Sequence, residues 1–315
     1  MSAEAAFIDI LRGFATAPAA RGLADDAAVL ELGDRVLVLT KDMLAEGVHY
    51  LPDDPPDHVA SKLLAVNLSD LAAKGARPLA ALLGYTLGDE AWDRAFAEGL
   101  RADLAAHSVS LIGGDTIASN GPRILSLTLI GEARGPGVPS RAGARPGDDL
   151  WLSGTIGDAG AGLAILRGSL TGSDDLVSRY RIPRPRLQAG RALATLVSAM
   201  MDVSDGLLID AGRMARASLI GIEIDLDTLP LSDAYIAAVG DDRAARLRAA
   251  TAGDDYELLF TAHEAGRGNI AEIGERLALP LTRIGRCIDG TGLTLTDAGG
   301  PVPLPDSLGW QHGDA

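Results

Sequence analysis

RGPGVPSRAGARPGDD, Arg134–Asp149, interrupts a chain that otherwise alternates apolar and mixed segments. Glycine, proline and arginine at this density punctuate the chain, marking a loop and a candidate domain boundary. The 315 residues are enough for two sizeable cores, and the reading is two domains, residues 1–137 and 138–315. On the N-terminal side, Arg35–Thr40 (RVLVLT), Leu79–Leu87, Val109–Ile112 and Ile124–Ala133 read as strands. Ala60–Gly75 and Glu90–His107 carry helical periodicity, and Phe7, Ile8, Ile10, Leu11 and Phe14 fit one face of a short helix. Gly75 stands where a helix C′ residue belongs. On the C-terminal side, strands are expected at Leu150–Ser153, Ala199–Val203, Glu223–Leu226, Glu257–Thr261 and Thr282–Arg286. Helices are expected at Ala159–Arg167, Arg186–Val197, Leu207–Ala217 and about Ala265–Leu277. Both halves mix strands and helices, so the fold class is α/β (α+β), with layers of helix on sheet.

Composition narrows the functional classes. Hydrophobic residues make up 47 % and aromatics only 4 %, so the core is built from Ala, Leu, Val and Ile, and general disorder is excluded. The net charge of −15, with no run of Lys and Arg, argues against nucleic acid or an anionic membrane as partner. The single cysteine, Cys287, rules out an intramolecular disulfide and a Cys-rich zinc site. The first residues lack a basic stretch followed by an apolar run, and no apolar stretch reaches the ~18–20 residues of a membrane helix. A cytoplasmic protein is expected.

A recurrent pattern carries the chemistry. Apolar segments run into small residues and then aspartate: VLVLTKD at Asp42, AVNLSD at Asp70, SLIGGD at Asp115, and MMDVSD at Asp202 and Asp205. Asp25-Asp26 precedes AAVL. Taken singly, each aspartate serves equally as a helix cap or an Asx turn, and Asp205 could cap the helix starting at Leu207. Taken together, oxygen-only ligands select a hard cation such as magnesium, which shares its shell with water and phosphate oxygens. Gly113-Gly114 would let the backbone approach a phosphate, or form a simple turn. Neither a P-loop motif nor the protein-kinase signature set is present.

NLSDLAAKGARP (Asn67–Pro78), LIGGDT (Leu111–Thr116), DVSDGL (Asp202–Leu207) and GDDYELLF (Gly253–Phe260) occur in that order. With DMLAEGVHY (Asp42–Tyr50) and Gly309-Trp310, they resemble the thiamine-monophosphate kinase family across about residues 22–310. That family lies in the aminoimidazole ribonucleotide synthetase-like superfamily. The resemblance implies a two-domain fold of that type, an N-terminal sheet pairing across a homodimer, and ATP bound without a P-loop. It implies magnesium ligands at Asp26, Asp42, Asp70, Asp115, Asp202 and Asp205, with Thr40 and Lys41 near a metal. ATP would contact Gly114, Asp115, Arg141 and Ser204, and thiamine phosphate would contact His49, Asp254 and Trp310. Asp205 and Asp115 would be the catalytic pair. The residues alone leave Arg141 open as a solvated loop arginine, His49 as a partly buried histidine and Trp310 as a tail anchor, though a tryptophan face also suits a cationic thiazolium. Three positions depart from the family pattern: Ala24 precedes the doublet where glycine is usual, Lys41 stands where a small hydroxyl residue is common, and Asp254 replaces a glutamate.

The resemblance implies in-line transfer of the ATP γ-phosphoryl group to the phosphate of thiamine phosphate, carried by positioning and charge neutralisation. The alternatives are another ATP-using enzyme of the superfamily and a non-catalytic nucleotide-binding descendant.

Overall fold

The structure, a computed structural model, describes residues 3–135 and 137–311. The first half contains helix α1 (Ala3–Arg12), strands β1 (Ala28–Leu32) and β2 (Arg35–Ala45), helix α2 (Pro56–Ala73), β3 (Arg77–Leu87), α3 (Glu90–Ala106), β4 (Ser110–Ala118) and β5 (Ile124–Ala133). Its five-stranded sheet has the order β1-β2-β5-β3-β4, with β4 parallel to β3 and the other pairs antiparallel.

The second half contains β6 (Asp149–Ser153), α4 (Asp158–Leu166), α5 (Asp174–Arg181), α6 (Leu187–Leu193), β7 (Ala199–Val203), α7 (Leu207–Ser218), β8 (Gly221–Asp225), α8 (Asp233–Val239), α9 (Arg243–Thr251), β9 (Glu257–Ala262), α10 (Arg267–Leu277), β10 (Leu281–Ile288), β11 (Gly292–Asp297) and β12 (Gly300–Val302). The seven-stranded sheet runs β12-β11-β8-β10-β6-β9-β7. Strands β6, β7 and β9 are buried at every position, which is why their sequences are continuous apolar runs rather than alternating ones.

Helix α2 joins the two halves. It is buried almost all round, and the core clusters place Leu63, Leu64, Leu68 and Leu71 against the first sheet and Ala72 and Ala73 with Met200, Leu258 and Phe260 of the second. A helix apolar on every face can only be accommodated in this way. It ends as predicted: Lys74 is the C-cap, Gly75 sits at φ 62°, and Ala76 N–H donates to Leu71 C=O while Gly75 N–H donates to Ala72 C=O. This is a Schellman motif.

The short N-terminal helix is present as α1, and Phe7, Ile10 and Phe14 are exposed. Two expectations are corrected. Helix α6 is shorter than Arg186–Val197. Gly113-Gly114 are neither a loop nor a turn but lie inside β4, where a Cβ on Gly114 would meet the Leu83 carbonyl oxygen at 2.0 Å.

The two faces of the first sheet differ sharply. Val38, Leu44, Leu125, Leu127 and Leu129 point to the α2–α3 side and are buried. The alternate residues Met43, Leu82 and Ile117 point to the other side and are exposed. Leu68→Ala is expected to cost about 3 kcal/mol in urea denaturation, because Leu68 is fully buried and its site cannot collapse. Leu82→Ala on the open face is expected to cost less than about 1 kcal/mol in the same measurement.

Candidate active site

Three elements deliver carboxylates to one place. Asp26 arrives from the turn before β1, Asp70 from the last turn of α2, and Asp202 from β7. One oxygen from each of the three lies within 4.8 Å of the others. Asp42, on the α2-facing side of β2, is hydrogen-bonded to Asp70. Asp42 and Asp70 are therefore inside their elements rather than at loop ends.

The cluster is crowded with like charge. Burial, offset by the Asp70 hydrogen bond and reinforced by Asp26 and Asp205, pushes the Asp42 carboxyl up to about 6. Burial, with Asp26, Asp210 and Asp42 nearby, pushes Asp202 up to about 8, although Ser69 Oγ donates to it at 2.6 Å. Asp70 is raised well above the carboxylate range by burial and by Asp42, Asp202 and Asp26. Cations sit at the edge. Lys74 Nζ, fully buried, lies 2.7 Å from Asp26 Oδ2 and also pairs with Asp25, while Arg141 Nη2 pairs with Asp26 Oδ1. Burial raises the Asp25 carboxyl, but Lys74 and Arg21 outweigh it and hold the group at about 2.

Asp205 follows β7 in the turn that opens α7. It does not cap that helix: the N-cap is Gly206, without a side-chain bond, and Arg213 holds Asp205 instead. Buried Asp210 accepts the backbone N–H groups of Ser204 and Asp205 at 3.1 Å each, fixing the turn from inside α7.

The same turn anchors two remote segments. Asp254 N–H donates to Ser204 C=O at 2.7 Å, Tyr256 N–H to Val203 C=O at 2.8 Å, and Trp310 N–H to Asp205 C=O at 2.9 Å. Asp254 and Trp310 thereby line one cavity of about 810 Å³ together with Asp42, Asp70, Asp202 and Asp205. His49, Ser204 and Tyr180 also line it. The His49 and Trp310 rings meet edge to face with centroids 5.8 Å apart, and Ala45 N–H donates to His49 Nδ1.

Four expected site residues stand elsewhere. Thr40 lies near Asp42 but turns its hydroxyl to Asn67 Oδ1 at 3.0 Å. Lys41 points to the opposite face of the sheet, where it bonds Ser126. Gly114 and Asp115 lie on edge strand β4. The register runs Met43–Ser126–Gly84–Asp115, so Asp115 is on the open face and three strand spacings, about 14 Å, from β2. A single chain does not bring Asp115 or Gly114 to the cavity that Asp42 lines.

The lining has two chemically distinct components: oxygen donors without enough positive charge, and an aromatic, carboxylate-bearing wall. The donor set fits magnesium, since its ligands are carboxylates and their proximity is costly until a cation arrives.

Known proteins resemble the chain over both halves. Residues 24–133 match the AIR synthase related protein N-terminal domain, and residues 145–298 match the corresponding C-terminal domain. Thiamine-monophosphate kinase of Salmonella typhimurium is 41 % identical over 300 residues, covering 92 % of this chain and 91 % of that protein. The chain belongs to the thiamine-monophosphate kinase family. The crystal structure of thiamine-monophosphate kinase from Stenotrophomonas maltophilia K279a superposes with TM-score 0.78 at 40 % identity, covering 91 % and 93 % of the two chains. A solved AaThiL complex with AMPPCP and TMP superposes with TM-score 0.83 at 31 % identity, covering 97 % and 96 %. The expected two-domain superfamily fold is thus present.

Within this kinase-family chain, motif matching finds the aspartates but not the groups that hold them. Lys74, Asp210, Arg213 and Lys62 do that. The available signal for Lys62 was a charged residue whose helical neighbours Val59, Leu63 and Val66 are apolar.

The raised carboxyls give a pH prediction. Unfolded aspartates titrate near ~4, whereas Asp42 and Asp202 hold their protons to about 6 and 8. Folding therefore takes up protons, and stability of the metal-free protein falls as pH rises through that window. Magnesium competes with those protons, so its stabilisation is expected to be greater at pH 8 than at pH 5.5. Thermal melting of chelator-treated protein, with and without magnesium at both pH values, checks this, each kcal/mol of binding appearing as about 2–4 °C.

Proposed function

We propose that this chain transfers the γ-phosphoryl group of ATP to the phosphate of thiamine phosphate, giving thiamine diphosphate and ADP. The observation that carries the reading is one cavity lined both by the carboxylates Asp42, Asp70, Asp202 and Asp205 and by the His49–Trp310 ring pair with Asp254. An acceptor with a phosphate and a cationic ring needs both kinds of lining. The family relatives named above support the same chemistry.

In the reaction a phosphate oxygen of thiamine phosphate forms a bond to the γ-phosphorus as the bond to the β–γ bridging oxygen breaks. The acceptor is already ionised at neutral pH, so no general base is required. We assign magnesium to Asp26, Asp42, Asp70, Asp202 and Asp205. Bound there, the metal supplies charge neutralisation for two anionic partners. Arg141 and Ser204 would meet ATP phosphates, Arg141 through its planar fork. Asp254 would accept from the acceptor's amino group, and the His49–Trp310 pair would face its cationic ring.

Gly114 and Asp115 keep their assignment to nucleotide and metal only as part of an assembly. We propose a homodimer formed on the open face of the first sheet, where Met43, Leu82 and Ile117 are exposed. A cytoplasmic location accords with a reaction that consumes ATP, and among the described residues no helix is long and apolar enough to cross a membrane. Leu82→Glu with Met43→Glu is expected to convert the dimer to monomer in light scattering after size exclusion.

The test of function is a coupled assay with ATP and magnesium, offering thiamine phosphate, thiamine or no acceptor, with product identified by mass. Thiamine diphosphate is expected from thiamine phosphate alone. Asp205→Asn is expected to lower turnover about 100-fold or more while melting and circular dichroism stay near wild type. Near-normal turnover of that variant would remove Asp205 from the metal site. ATP binding without turnover by the wild type would favour a non-catalytic descendant, and turnover with a different acceptor would favour another superfamily activity.

A further inference from the structure

Lys62 belongs to the apolar middle of α2, between Val59 and Val66, and is only 2 % exposed. A leucine there would pack as its neighbours do, whereas an ammonium must be desolvated and then fully partnered. Its three N–H directions are all taken. Nζ donates to His49 C=O at 2.9 Å and to Asp254 Oδ2 at 3.0 Å, and it lies 3.9 Å from the centroid of the Tyr180 ring. Lys62 thereby ties α2 to three other pieces of the chain: the loop after β2, the segment before β9, and α5.

The segment that carries Asp254 needs such a hold. Asp254 and Tyr256 both occupy the left-handed region, at φ 69° and 50°, without being glycine. That conformation persists only where surrounding contacts over-determine it. Tyr256 hydroxyl donates to Asp254 Oδ1 at 3.2 Å, so Lys62 and Tyr256 fix one oxygen each. A carboxylate offers about four lone-pair sites, so capacity remains on the partly exposed side chain for an N–H from a ligand.

We propose that Lys62 is a positioning residue that locks the Asp254 carboxylate and the His49 loop into the wall that recognises the organic half of the acceptor. It acts on acceptor recognition and leaves nucleotide binding alone, because no residue of the carboxylate cluster contacts it. The inference deepens the reading of the cavity as a thiamine phosphate site and rests on it for the identity of the acceptor. Asp254, one methylene shorter than the glutamate usual in the family, depends the more on being aimed.

The test compares wild type with Lys62→Met in two measurements. Amide hydrogen exchange reads the hold itself, and it is expected to quicken at residues 47–51 and 253–256 while the interior of β2 and β7 is unchanged. Steady-state kinetics read its consequence. KM for thiamine phosphate is expected to rise about 10- to 100-fold, with kcat and the KM for ATP within about 2-fold. Should Lys62→Met fail to fold, Lys62→Met/Asp254→Asn, which removes both charges, is compared with Asp254→Asn. The double variant is then expected to match the single one, because the two side chains act as one unit. Unchanged exchange in both loops, equal rises in the two KM values, or additive losses in the double variant would overturn the proposal. Quickened exchange together with a wild type that does not accept thiamine phosphate would leave the tie standing and bring down the functional reading instead.

Discussion

Crowding of carboxylates in a poorly solvated place governs this molecule. Asp25, Asp26, Asp42, Asp70, Asp202, Asp205 and Asp210 gather around a centre to which Arg21, Lys74, Arg141 and Arg213 bring the opposing charge. Repulsion at this range in a low-dielectric interior costs more than any one packing contact returns, so protons or metal must make up the difference. The fold tolerates the cluster because each acid is held by something stiff: a strand, the last turn of α2, or amides capped by Asp210. Rigidity of the scaffold is what keeps the acids from moving apart.

The frame that holds them was partly legible from sequence. Most strands of both halves, though not β1, β11 or β12, and the Gly75 stop of α2 follow from pattern, because periodicity and cap chemistry are local. The aspartates were legible as a set because only a fold can gather groups so far apart in the chain. Sheet order was not legible: β5 inserts between β2 and β3, and no local signal encodes that pairing. This is why Asp115 read as one of the cluster and stands on another face. The glycines before it read as a flexible approach to phosphate, whereas Gly114 is needed for close passage of β4 over the Leu83 carbonyl. The role of α2 was hidden for a related reason: burial on all sides depends on two sheets, and a helix sequence shows one face at a time.

The supporting residues form a second network, and it is mostly made of main chain. Backbone groups at 203–205 receive bonds from 254, 256 and 310, so the position of substrate-facing side chains depends little on their own identity. Lys41 is tolerated because its side chain leaves the site altogether and meets Ser126 across the sheet.

The stitching of Trp310 to the turn at Asp205 also sets an order of assembly. Asp26, Asp42 and Asp70 belong to the first half of the chain and Asp202 to the second, so while only the first half has been made Asp202 is missing. The repulsive quartet therefore comes into being only when the second half docks, and the aromatic wall closes later still, when residue 310 emerges. A ribosome-bound chain would present neither a complete cation site nor an acceptor pocket, so the growing protein is shielded from premature loading by the same connectivity that later holds the site together.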